Sequence, residues 1–162
     1  MIFTNRHHLV RALEGSADMF TGTPSTDIVD LTNYDHVTFL VQKGAGAIGT
    51  ATLTVHAADD TSGTNNCAMV FDYRVNTSGD TWGDLTAATT AGFATTAGAN
   101  QAYAIEVTAA DVLAAGRAES TPFDGKCVYV TATEVVDGAC VGGVLAVLSG
   151  GRYQDSSMPS GI

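Results

Sequence analysis

Gly44, Gly46 and Gly49 stand in the spacing G-x-G-x-x-G within VQKGAGAIGTATLTV, the pattern with which dinucleotide-binding turns admit a pyrophosphate. That chemistry needs a strand before the glycines and a helix starting on them, because the phosphates sit on the free N–H groups of the helix N-terminus. The residues after Gly49 do not supply the helix. Ala51, Leu53, Val55 and Ala57 alternate with Thr50, Thr52, Thr54 and His56, the period of two that marks a half-buried strand. A glycine turn between two strands is expected, with no nucleotide and no other cofactor.

The other reactive residue types form no better constellation. His7 and His8 are adjacent on an expected short helix, RHHLVRALE at residues 6–14 with Gly15 as its stop; they point apart and miss the i, i+4 pair of a metal site. A hairpin through the glycine turn would set His36 opposite His56 on the solvent face, but two ligands without a third make no metal centre. Asp59 and Asp60 open a loop in which Thr61, Ser62 and Gly63 depart from the calcium pattern D-x-[DN]-x-[DN]-G. There is no G-x-S-x-G elbow, and Glu106 and Glu134 read as outward strand residues. Trp82, in GDTWGDLT, reads as a core or interface anchor. No catalytic, cofactor-binding or metal residue is expected, and the chain reads as a non-enzyme.

The elements that would position such residues are mostly strands. HVTFLVQK turns Val37, Phe39 and Val41 to one face, AMVFDYRVN does so with Phe71, Tyr73 and Val75, and QAYAIEVT with Tyr103, Ile105 and Val107. Thr108 and Asp111 form a capping signal for a short helix at AADVLAAG, ending on Gly116. KCVYVTATE and ACVGGVLAVLSG are two apolar strands around Asp137-Gly138, a two-residue hairpin signal that would lay Cys127 near Ser149 and keep it from Cys140. About eight short strands with little helix predict an all-β fold, an antiparallel β-sandwich or jelly-roll-like domain, with jelly-roll and immunoglobulin-like orders both open. The expected organisation is an N-terminal helix or arm (1–26), a sandwich domain (27–150) and an extended C-terminal tail (151–162).

Composition narrows the partners. Charged residues make up 15% of 162 against about 25% in ordinary soluble domains, a depletion typical of surfaces covered by other subunits. The net charge of −10, with Lys43 and Lys126 as the two lysines, disfavours nucleic acid. No run of about eighteen apolar residues suggests a membrane span, and no secretory signal is expected. Cys67, Cys127 and Cys140 are odd in number and set in apolar surroundings, which fits reduced, buried thiols made in a cytoplasm.

The segments DIVDLTNYDHVTFLVQKGAGAIGTATLTVHAADD, GDTWGDLTAATTAGFATTAGANQAYAIEV and VGGVLAVLSGGRYQ resemble the small virion structural proteins of tailed bacteriophages, most of all capsid decoration (cement) proteins. The likeness runs from about Asp27 to Gln154 and rests on patterns of small residues and strands. It implies a viral structural protein on the outer capsid surface that stabilises the assembled lattice of the phage major capsid protein. Homotrimers are implied, with arms reaching a neighbouring subunit. Phe3, Arg6, Arg11, Arg152, Tyr153 and Met158, on the two arms, are the expected subunit or capsid contacts, since Arg and aromatic residues are enriched in interface cores. A neck or tail component, or a carbohydrate-binding host-adhesion module, is the alternative.

Overall fold

In a computed structural model, which describes residues 3–45, 48–76 and 79–151, the expected strands form two antiparallel sheets packed face to face. The larger has the order β1 (His8–Ser16), β11 (Gly142–Ser149), β3 (His36–Lys43), β9 (Ala102–Thr108), β6 (Phe71–Asn76) and β7 (Thr86–Ala88). The smaller runs β2 (Val29–Asp30), β10 (Cys127–Val136), β4 (Thr50–Ala58) and β5 (Asn66–Met69), with β8 (Phe93–Ala94) also paired to β4. The alternating residues meet between them: Val37, Phe39, Val41, Tyr103, Ile105, Ala146 and Leu148 from one sheet face Leu53, Val55, Val128 and Val130 from the other.

Without β6–β8 the sheets read 1-11-3-9 and 2-10-4-5, with the chain changing sheet at almost every connection. This is the wiring of a jelly roll, two Greek keys closed on each other. An immunoglobulin-like order would keep the first two strands in one sheet; β1 and β2 lie in different ones.

That wiring corrects both expected hairpins. The glycine turn after β3 leads to β4 in the other sheet, so His36 lies beside Ser149 and Thr108 while His56 lies between Tyr129 and Ala68. Asp137-Gly138 likewise sits in a crossing from β10 to β11, and Cys127 stands opposite Asp30 and Ala58 rather than Ser149. Gly138 does not take the positive φ that a two-residue hairpin turn needs, so the local turn signal is overridden. What overrides it is that the apolar faces of the joined strands bury against each other across the core, which puts them in sheets about 10 Å apart. Gly49 marks the price of that crossing: a Cβ there would lie 2.1 Å from the Gly138 carbonyl. The three cysteines are free and buried, and burial pushes the Cys127 thiol up to about 12.

The expected N-terminal helix is a strand. Residues 8–16 pair with β11 from His8 opposite Leu148 to Ser16 opposite Gly142, with two bulges, because Val10 and Ala12 have a place in the core that a helix would deny them. Residues 8–20 of the segment read as an arm thus belong to the sheet and core, Met19 and Phe20 included. The helix at Ala109–Arg117 forms as expected, with the Thr108 hydroxyl accepting from the Asp111 N–H at 3.1 Å.

A chain beginning at residue 21 loses the edge strand together with Val10, Met19 and Phe20. Burial of three such side chains is worth about 5–9 kcal/mol, comparable with the roughly 5–15 kcal/mol that holds a whole domain. Circular dichroism should show no cooperative melt for this truncation; a melting temperature within a few degrees of the full chain would refute the placement of β1.

Candidate functional site

Strand alternation sets the most unusual side chain. Val37, Phe39 and Val41 point inward, and two residues on so does Lys43, which is fully buried. Its ammonium donates to the carbonyls of Gly49, at 3.0 Å, and Thr96, at 2.7 Å. Burial lowers its pKa, with a smaller opposing effect from the Cys140 thiol. Around it the Tyr103 hydroxyl donates to Gln101 and accepts from the Thr96 N–H, while the Thr95 hydroxyl accepts from the Ala51 N–H. The lysine therefore pins Gly49 and the 95–96 segment to the end of the sandwich.

Beside this clamp the end of the sandwich exposes four apolar side chains. Ile48 is 65% exposed, Val135 61%, Val136 47% and Val141 48%. The turns carrying them interlock: Gly44 N–H donates to the Val141 carbonyl, and a Cβ on Gly138 would meet the Ile48 side chain at 2.7 Å. From Val141 the surface continues into a groove of about 710 Å³ on the outer face of the larger sheet, lined by Arg11, Leu13, Leu40 and Leu145 among others. Leu40 and Leu145 are register partners whose neighbours Phe39, Val41, Val144 and Ala146 are buried, so both face outward.

At the other end of the larger sheet His36 Nε2 lies 2.9 Å from Glu106 Oε2, Thr38 donates to the same oxygen at 2.8 Å, and Ser149 Oγ is 3.4 Å from His36 Nδ1. The hydrogen bond from His36, with Thr38 and Arg74 adding to it, holds the Glu106 carboxyl below the usual range against the opposing effect of burial. The order Ser, His, Glu is that of a nucleophile relay. These contacts, however, are what register produces: Ser149 is opposite His36 and Thr38 is opposite Glu106. They form a cross-strand ladder that ties three strands.

Asp18, Glu134 and Asp137 bring three carboxylates within 4.8 Å of one another, the grouping most able to hold a cation among the described residues. Asp18 and Glu134 are half-buried and Asp137 is exposed, and Glu134 and Asp137 bracket Val135 and Val136 in the chain. Asp60 accepts from the Ser62 and Gly63 N–H groups, which closes its loop as a turn. His56 stacks on Tyr129 at 5.1 Å, and burial lowers its pKa.

The expected contact residues fall in two groups. Phe3 is exposed and stacked on His7 at 4.2 Å; Arg6 is exposed in the turn before β1, and Arg11 projects from β1 to the groove rim beside Glu14. Arg152, Tyr153 and Met158 lie outside the described residues. The terminal reading missed Ile48, Val135, Val136 and Val141. Trp82 is exposed, not core, and lines neither the groove nor the end surface.

Lys43→Met keeps a long apolar stem and leaves the Gly49 carbonyl unbonded, a loss of about 1–3 kcal/mol; Lys43→Ala also removes buried methylenes at about 0.8 kcal/mol each. Urea titration should rank them wild type, Met, Ala, and equal losses for Met and Ala would show that the stem is not packed. For Glu106, a lowered folded pKa means a stabilising contribution present near neutrality and lost as pH falls through that value. The stability gap between wild type and Glu106→Gln should shrink below about pH 4, and a gap constant from pH 7 to 3 would contradict the ladder.

Comparison with known protein families, curated proteins and solved structures gives no match to this chain.

Proposed function

We propose that the protein is a non-enzymatic structural protein that binds an assembled lattice of coat subunits, a decoration protein of a phage capsid. The observation that carries this is the exposure of four apolar side chains, Ile48, Val135, Val136 and Val141, at the end of the sandwich where the buried Lys43 ties Gly49 to Thr96. Contiguous exposed apolar surface on a soluble domain marks a contact site, and a pinned one loses little entropy on docking. The sparse charge, the jelly-roll scaffold and the resemblance of the sequence to small virion proteins support the same reading. The polar groups of the larger sheet are spent on cross-strand ladders.

Stabilisation of a shell follows by mass action: a protein that binds assembled coat better than free coat lowers the free energy of the assembled state. Several copies joined together gain further through effective concentration. The carbohydrate-binding alternative would need a groove floored by Trp82, and the groove on this sheet is lined by other residues.

The test is co-sedimentation with capsids that lack the protein. Wild type should pellet with them. A paired variant, Val135→Asp with Ile48→Asp, should melt like wild type and pellet at least about tenfold less, since burying unpaired carboxylates costs more than about 1.4 kcal/mol. Wild-type protein that stays in the supernatant sinks the capsid reading; a variant that pellets normally moves the contact elsewhere.

A further inference from the structure

The larger sheet has an apolar hole near one edge and an apolar knob at the other. The hole is the groove over β1, β11 and β3, where Leu13, Leu40, Val141 and Leu145 supply the walls and Gly143, on the outward side with Leu145, puts no side chain into it. The knob is the segment from Gly79 to Ala87, which follows β6 and includes the start of the edge strand β7; every residue of it is exposed. It carries Trp82, 40% exposed, and Leu85, 49% exposed.

The knob is pinned. Gly83 N–H donates to the Val75 carbonyl at 2.9 Å, Arg74 Nη1 donates to the Gly83 carbonyl at 2.9 Å, and Thr86 begins the pairing of β7 with β6. A segment fixed at its middle with a Trp and a Leu turned to water is ready to dock without further ordering. Trp is also the side chain most enriched among interface hot spots.

We infer that the Trp82–Leu85 knob of one copy docks into the β1–β11–β3 groove of the next copy, head to tail. Three observations select a second copy as the occupant. Hole and knob have the same apolar character, and about 710 Å³ is room for an indole with a Leu beside it. The groove is centred on β11 and the knob is pinned to β6 and the start of β7, three to four strand spacings or about 14–19 Å away, so a copy cannot fill its own groove. Their charges allow an exchange: Asp80 and Asp84 flank Trp82, and the groove rim carries Arg11 and Glu14, an exposed pair 3.6 Å apart from which Asp84 takes the guanidinium. A contact between two different patches is heterologous and propagates, closing into a ring when its rotation allows. The inference is independent of capsid binding.

Trp82 is the chain's single tryptophan, so its fluorescence reports its own burial. With rising protein concentration its emission should move to shorter wavelength while light scattering rises to three or more copies per particle. Trp82→Ala should weaken self-association at least about thirtyfold, the scale of a hot-spot side chain, and Leu145→Glu should do the same from the groove side. Mixing these two variants should restore one contact and give particles of two copies. The charge pair supplies a check that leaves the apolar surface intact: Arg11→Asp should weaken the contact and Asp84→Arg in the same chain should restore it. A wild-type monomer at all concentrations, a wild-type particle of two copies, or a Trp82→Ala variant that associates like wild type would each overturn the inference.

Discussion

Neither sheet of this protein can bury its own apolar face, and each can bury the other's. From that single constraint the wiring follows. Strands adjacent in sequence carry inward rows that fill the same core layer from opposite sides, Val37, Phe39 and Val41 of β3 against Leu53 and Val55 of β4, and Val128 and Val130 of β10 against Ala146 and Leu148 of β11. The connections therefore run across the gap between sheets and collect at the two ends of the sandwich. Those ends receive the crossings from β3 to β4 and from β10 to β11.

The end that carries Lys43 shows what such a crowding of turns requires. Backbone groups in the crossings cannot all find strand partners, and an orphaned buried carbonyl costs about 1–3 kcal/mol. A lysine reaching inward from the last position of β3 satisfies the Gly49 carbonyl and ties it to Thr96. Burying an ammonium is costly in itself, so the arrangement is stable because the stem continues the apolar row of the strand while the head meets two acceptors. At the surface beside it Ile48 and Val141 stand exposed.

Periodicity was the legible part of the sequence, and pairing the illegible part. Ala51, Leu53, Val55 and Ala57, or Tyr103, Ile105 and Val107, declare a buried face by alternation alone. Extending the alternation of β3 by one more step would have put Lys43 inside as well. Which strand lies beside which depends on contacts distant in sequence, and Gly44 to Gly49 or Asp137-Gly138 look locally like hairpins whether the next strand folds back or crosses over. RHHLVRALE was misread because its short run fits a helix period, and only the vacancy beside β11 makes it an edge strand. The apolar end surface was hidden for a related reason. Val135 and Val136 look like strand interior until the strand is seen to end there.

The charge of −10 sets the terms on which copies of such a molecule can meet. Repulsion between like-charged molecules is spread over their whole surfaces and is screened beyond about 8 Å at physiological ionic strength, whereas a docked indole gains from contacts at van der Waals range. A contact confined to a small, weakly charged region therefore feels little of the net charge, and the groove on β1, β11 and β3 is such a region, with Arg11 and Glu14 as the charged residues that line it. The acidic loops at Asp59 and Asp60 connect strands of the smaller sheet, away from that groove. The knob itself carries Asp80 and Asp84, so on the proposed docking the charges that count are these two and the Arg11–Glu14 pair rather than the −10 of the whole chain.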